Sequence, residues 1–260
     1  MAVNIHKTAI VDKRAKLADG VSVGPFSIIG GDVVIGEGTT IGPFSIIEGW
    51  TTIGRENKIF SHVVIGTISQ DKKYKGEKSF VEIGDRNTIR EFTTINLGTS
   101  EKEGYGTRVG SDNFMMAYSH IAHDCLVGNS NVIANMGTLA GHVTLEDGVV
   151  LGGLAGIHQF VRIGRLAVIG GISKVVKDVP PYMMVDGQRA SACGLNLVGL
   201  RRAGISKKAH SSLKQAFKIL FKSELSLPNA LEKVKTEVPP CDEITHLIEF
   251  INGSERGICG

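Results

Sequence analysis

Within SHIAHDCLVGN, residues 119–129, His120, His123, Asp124 and Cys125 fall close together. Side chains of these types at this spacing can do three things. Imidazoles and a carboxylate can hold a metal ion. A histidine, whose ordinary pKa of about 6.5 lies near neutrality, can act as a general base with the carboxylate steadying it. All of them can also be ordinary polar residues of a strand. Two later stretches add chemistry of the same kind: LAGHV (139–143) brings Gly141 and His142, and IHQFVRIG (157–164) brings His158 and Gln159. The choice depends on the scaffold that carries them.

The scaffold is written as a repeat of six. An aliphatic residue opens each unit at Ile5, Val11, Leu17, Val23, Ile29, Ile35, Ile41, Ile47, Ile53, Ile59 and Ile65, and Gly often follows. The next two openings fall on Asp71 and Glu77 and fail, and the phase returns unshifted at Ile83, Ile89 and Ile95. A second break, GTSEKEGYGTR (98–108), moves the phase by two residues, after which the repeat runs from Val109 through Val175. A period of six fits neither a helix nor a long alternating strand. It fits a short strand followed by a corner, with one small apolar residue turned inward per unit. Stacked coils of this kind form a parallel β-helix of the hexapeptide class. The two interruptions read as excursions from the prism, at 71–82 and 98–108, and such loops often carry function.

After DVPPY (178–182) the sextets stop. SKKAHSSLKQAFKILFKS (206–223) sets Leu213, Phe217, Leu220 and Phe221 on one helical face, and Pro228 and Pro239–Pro240 punctuate further helices at 227–237 and 241–252. The sequence therefore predicts a mainly β chain: a β-helix over 1–185, then a small C-terminal helical domain over 186–260. From Arg201 to Lys222 there are Lys and Arg but no Asp or Glu. This basic run is either a solvated face or a dock for an acidic partner.

Composition bounds the rest. A hydrophobic content of 42% and a charged content of 21% suit a globular protein. The net charge of +3 gives no reason to expect nucleic acid. Cys125, Cys193, Cys241 and Cys259 form no CxxC pair, which argues against a thiolate zinc site and for a reducing compartment. The N-terminus shows no signal peptide, and no stretch reads as a transmembrane helix.

Several words occur in a fixed order: IGTISQDKKYKGE (65–77), VEIGDRNTIRE (81–91), SHIAHDCLVGN, LAGHV, IHQFVRIG, DVPPY and GLNLVGLRRAG (194–204). Together they resemble the bacterial acyl-[acyl-carrier-protein]–UDP-N-acetylglucosamine O-acyltransferases, hexapeptide-repeat enzymes of lipid A biosynthesis, over almost the whole chain. The resemblance implies a left-handed β-helix and a cytoplasmic homotrimer with active sites between neighbouring subunits. It implies no cofactor and no metal. The partners would be UDP-N-acetylglucosamine and an acyl carrier protein bearing an (R)-3-hydroxyacyl thioester, with transfer to the sugar 3-hydroxyl.

A triangular coil, as in that family, would place every eighteenth residue in one column, at the strand spacing of about 4.8 Å. His123, Gly141 and Gln159 then stack, Asp124 and His142 stack beside them, and His120 lies in a third column. The resemblance makes His123 the base, Asp124 its orienting carboxylate and the Gly141 N–H the donor to the developing oxyanion. Asp124 reaches His123 only if the chain bends between them, because adjacent strand residues point to opposite faces. The resemblance also places Asp71, Lys73, His120, His142, Gln159, Asn196 and Arg202 around the substrates, with His158 and Gly171 where the acyl tail ends. Val198 and Ala203 depart from the family, which often has an acidic residue and a second Arg there. This leaves a 3-amino UDP-sugar as an alternative acceptor. The related N-acyltransferases of the sugar 2-amine carry an extra N-terminal domain, for which sextets beginning at Ile5 leave no room. From a different class, a carbonic-anhydrase-like zinc hydratase would use His120, His123 and His142 as ligands with an open fourth position. A purely structural or ice-binding β-helix would show regular exposed Thr ranks, and only local TT pairs are present.

Overall fold

The computed structural model describes residues 2–100 and 106–260. The middle of the expected second excursion, 101–105, lies outside the described residues.

Short parallel strands recur through the sextets, as at His120–Ile121, Leu126–Val127 and Val132–Ile133. Each bonds to the strand one coil away: Ile121 aligns with Leu139, Leu139 with Ile157, and Ile157 with Val175. Three parallel faces result. The first contains Phe114–Met115, the second His120–Ile121 and the third Leu126–Val127. The opening aliphatics turn inward; Ile65, Ile89, Ile95, Ile121 and Leu139 are fully buried. Burying each such side chain is worth about 1.5–3 kcal/mol. Ile5 is 44% exposed, because no coil stacks beneath the first one. The chain is a left-handed parallel β-helix.

Corners are turned by residues in the left-handed region. Between the second and third faces these are Asp124 (φ 58°), His142 (φ 60°) and Phe160 (φ 64°). Such φ values are unfavourable for non-glycine residues, and coil-to-coil bonds hold them, as in His142 N–H to His123 O at 3.0 Å. A buried asparagine ladder braces the corner between the third and first faces. Asn57 Oδ1 accepts from Asn87, Asn87 Oδ1 from Asn113 and Asn113 Oδ1 from Asn131. These bonds satisfy polar groups that would be costly to bury unpaired.

The first excursion runs from 68 to 79, a few residues ahead of the expected 71–82, because Phe80–Ile83 already pairs with Trp50–Ile53. After the last coil, Met183–Asp186 and Ser191–Leu195 form a hairpin that extends the first face past residue 185. Four helices follow: α1 (Leu197–Arg202), α2 (Lys207–Lys222), α3 (Leu227–Glu237) and α4 (Asp242–Asn252). Ser206 caps α2 by accepting from Ala209 N–H. Leu213 and Ala216 are buried, and the Phe217 and Phe221 rings, 5.2 Å apart, bridge the helical core and the β-helix core. Lys207, Lys214, Lys218 and Lys222 are exposed. Among the described residues, no helix is long and apolar enough to cross a membrane. The four cysteines are unpaired.

Candidate active site

The bend that sequence reasoning required at Asp124 is present. Because Asp124 takes the left-handed corner conformation, its carboxylate folds back onto the preceding residue, and His123 Nδ1 lies 2.9 Å from Asp124 Oδ2. The carboxylate is buried and held from several sides. Oδ1 accepts from Thr99 N–H (3.1 Å) and Gly106 N–H (2.8 Å), and Oδ2 accepts from the Thr99 hydroxyl (2.7 Å). Burial pushes the Asp124 pKa up, but hydrogen bonds from His123, Gly106 and Thr99 outweigh it and hold the carboxyl at about 2. An ionised Asp124 can only accept, so His123 Nδ1 carries a proton, and in the neutral ring Nε2 is the nitrogen left to accept one.

Gly141 lies one coil away from His123, as expected. A β-carbon there would overlap the His123 Cε1 and Nε2 atoms. The missing side chain thus makes room for the imidazole. Among the described residues, the Gly141 N–H has no protein acceptor.

His142 stands edge-on to His123, with centroids 5.2 Å apart, and stacks on Phe160 at 4.6 Å. Its Nε2 is 3.7 Å from Asp124 Oδ2. Burial lowers its pKa; the Asp124 carboxylate opposes this, His123 adds to the lowering and Asp71 opposes it more weakly, with a net fall. His120 Nδ1 is 2.7 Å from Thr94 Oγ1; burial, then His123, lowers its pKa too. Both histidines are thereby kept neutral near pH 7.

His123 and His142 open into a cleft of about 420 Å³, together with Asp71, Lys73, Thr99, Gln159 and Phe160. Four of the residues expected around the substrates, Asp71, Lys73, His142 and Gln159, therefore meet at the proposed base. Asp71 Oδ1 accepts from Lys73 N–H at 2.9 Å, a turn that shapes the first excursion over the corner. His120, behind the cleft, does not line it. His158 is exposed, with Nδ1 3.3 Å from Arg256 Nη2 and 3.2 Å from Gln159 O. Gly171 is open: a β-carbon there would meet only the Gly153 backbone, at ordinary contact distance. Asn196 and Arg202 do not reach the cleft. Asn196 caps α1, accepting from Gly199 N–H and donating to Leu166 O, both at 2.8 Å, while Arg202 is exposed in the last turn of α1.

Sequence reasoning missed Thr99, Gly106 and Phe160. Phe160 follows His142 in the same column and could have been found from the coil repeat. Thr99 and Gly106 lie on the second excursion, where the repeat carries no positional signal.

A larger cleft of about 520 Å³ lies between the β-helix and the helices. There Tyr182 Oη is 2.9 Å from His246 Nδ1, and His246 Nε2 is 3.0 Å from Glu146 Oε2. Those groups satisfy one another and fasten α4 to the prism; none of the expected site residues is present. Among the described residues, one group has ligand atoms close enough for a metal: His123, Asp124 and His142, within 4.8 Å. His120, which the zinc reading needs, is not part of it. Asp124 is also saturated by donors from Thr99, Gly106 and His123.

The chain is similar to known proteins in sequence and fold. A family model described as bacterial transferase hexapeptide (six repeats) matches residues 32–67. One described as UDP N-acetylglucosamine O-acyltransferase, domain 2, matches residues 178–259. Over 254 residues, 98% of each chain, the sequence is 50% identical to the acyl-[acyl-carrier-protein]–UDP-N-acetylglucosamine O-acyltransferase of Thiobacillus denitrificans. The chain belongs to this O-acyltransferase family. The UDP-N-acetylglucosamine acyltransferase from Campylobacter jejuni superposes with a TM-score of 0.92 at 41% identity, covering 98% of this chain and 99% of that one. The Francisella novicida enzyme gives 0.93 at 39%, covering 98% and 93%. Within this O-acyltransferase framework Val198 is 58% exposed on α1 and Ala203 caps its end, so neither departure disturbs the fold.

Proposed function

We propose that the protein transfers an (R)-3-hydroxyacyl group from acyl carrier protein to the 3-hydroxyl of UDP-N-acetylglucosamine, the first step of lipid A biosynthesis. The observation that carries this reading is the 2.9 Å His123–Asp124 pair opening into the Asp71, Lys73, His142 and Gln159 cleft. His123 Nε2 takes the hydroxyl proton as that oxygen attacks the thioester carbonyl. The negative charge moves to the carbonyl oxygen, where the Gly141 N–H can donate. Collapse expels the carrier thiolate, which recovers the proton from the imidazolium. Asp124 stabilises that imidazolium through Nδ1–H.

The enzyme works as a cytoplasmic homotrimer with its sites between neighbours. Two observations favour this. Asn196 and Arg202 do not reach the cleft of their own chain, so a neighbour must supply them if they hold the nucleotide; the Arg fork suits its pyrophosphate. An exposed apolar column, Tyr118, Met136, Leu154 and Ile172, also needs a cover. Along the first face the outward row Phe114, Val132, Val150 and Val168 is apolar from coil to coil and leads towards Gly171. With the thioester at His123 of one subunit, the acyl tail lies along this row of the neighbouring subunit and ends near Gly171 of the partner subunit, while His158 stands at the same corner as His123.

The test crosses 3-hydroxyacyl carrier thioesters of several lengths with UDP-N-acetylglucosamine and its 3-amino analogue. An ester at the 3-position is expected. Turnover of the amino sugar alone would transfer the assignment to the N-acyl alternative.

A further inference from the structure

The second excursion does more than leave the prism. Its two ends meet at Gly98 and Gly106, where a β-carbon on Gly98 would strike both the Gly106 backbone and Asp124 Oδ1. The neck is pinned by one carboxylate: Oδ1 of Asp124 takes the N–H of Thr99 from one end and that of Gly106 from the other. The Thr99 hydroxyl donates to Oδ2, the oxygen that also faces His123 Nδ1. The next residue after the neck, Thr107, accepts from Asp124 N–H at 3.0 Å. Ser79 Oγ, at the end of the first excursion, donates to Gly98 O at 2.6 Å, which joins the two excursions at this neck. Thr99 and Ser100 also line the cleft.

We propose that Thr99 is a positioning residue for the transfer: by clamping Asp124 Oδ2 it fixes the direction of the His123 ring. The proposal rests on His123 being the base. Without the hydroxyl, Oδ1 stays held by the Thr99 and Gly106 N–H groups, but Oδ2 keeps only His123 and a longer 3.2 Å contact from Thr99 N–H, so the imidazole it faces would drift from the line of attack. Misalignment of a catalytic group by about 1 Å costs on the order of 100-fold in rate.

Thr99→Val keeps the shape and the backbone N–H but removes the hydroxyl; Thr99→Ser restores it. With the hydroxyl lost, Oδ2 carries more uncompensated charge and favours the imidazolium. The expected result for Thr99→Val is a fall in kcat of roughly 10–100-fold, with KM for both substrates near wild type. The acid limb of the kcat/KM profile should move to higher pH, and Thr99→Ser should recover most of the rate. In a His123→Ala background, Thr99→Val should have no further effect, since the group it positions is gone. Wild-type kcat and pH profile in Thr99→Val, while His123→Ala is inactive, would overturn the proposal and leave the base assignment standing. So would a loss that Thr99→Ser fails to recover. Full activity in His123→Ala would instead remove the reading on which it rests.

Discussion

Two corners of the prism use the same backbone and end up with opposite characters. Between the first and second faces, Phe26, Phe44, His62, Phe92, Tyr118, Met136, Leu154 and Ile172 all take φ near 60°. Their rings stack coil on coil, with Phe44 to His62 at 5.1 Å and Phe92 to Tyr118 at 4.8 Å, and the column is largely exposed. Between the second and third faces, the same left-handed position holds Asp124, His142 and Phe160. There an excursion wraps the corner, buries the carboxylate and gives it four donors counting His123. The coil supplies a regular row of positions that project outward. What turns one row into a site is the loop that shields it from water and orients it, and the other row remains a surface for apolar contact.

The largest effect expected from this contrast follows Asp124→Asn. An amide can present a donor to His123 Nδ1 and reverse the tautomer, so transfer should fall by about 10²–10⁴-fold in steady-state assays. Stability carries a second signature. The folded-state pKa is depressed from 3.8 to about 2, so the carboxylate contributes above the unfolded value and that contribution is lost as pH falls from about 4 towards 2. At 1.36 kcal/mol per pKa unit this amounts to roughly 2.5 kcal/mol. Denaturant unfolding at stepped pH should show this component in wild type and lack it in the Asn variant.

Next in size is Gly171→Met. The position is open and Gly171 does not sit in the left-handed region, so the fold tolerates the side chain. Each methylene denied burial loses about 0.8 kcal/mol. The ratio of kcat/KM for long and short 3-hydroxyacyl donors should swing to short ones by at least tenfold; an equal loss at every length would make Gly171 a plain corner. Reversal of Lys207, Lys214 and Lys218 to Glu on exposed α2 should raise KM for the carrier-bound donor several-fold at low salt. The effect should shrink at high salt, where charges are screened beyond about 8–10 Å. An unchanged KM at low salt would leave that face merely solvated. The smallest effect belongs to the apolar corner. Phe44→Ala should cost about 1 kcal/mol in thermal or denaturant unfolding, from the lost ring stack, and leave kcat alone. A large drop in kcat would show that the two corners are not independent.

Much of the scaffold is legible in the sequence because a coil must repeat its inward residue every six positions; Ile121, Leu139 and Ile157 stand in register for that reason. The stacking of Gly141 on His123 follows from the same rule, as does the column of Asp124 and His142. Helices α2, α3 and α4 are marked by prolines and apolar spacing. The hairpin after residue 182 and the short α1 escape, because neither is long enough to show a period. The asparagine ladder is hidden too: Asn57, Asn87, Asn113 and Asn131 are spaced unevenly once the excursions intervene. Thr99 is the most consequential omission. Its hydrogen bonds cross from a loop to a residue 25 positions away, and no local pattern records that.

The account turns on His123 as the base, and one measurement addresses it most directly. Purified His123→Ala would be assayed for transfer from a 3-hydroxyacyl carrier thioester to UDP-N-acetylglucosamine, with its circular dichroism and assembly mass checked against wild type. The account predicts a loss of at least about 100-fold in kcat with fold and assembly intact. Turnover at the wild-type rate would contradict it.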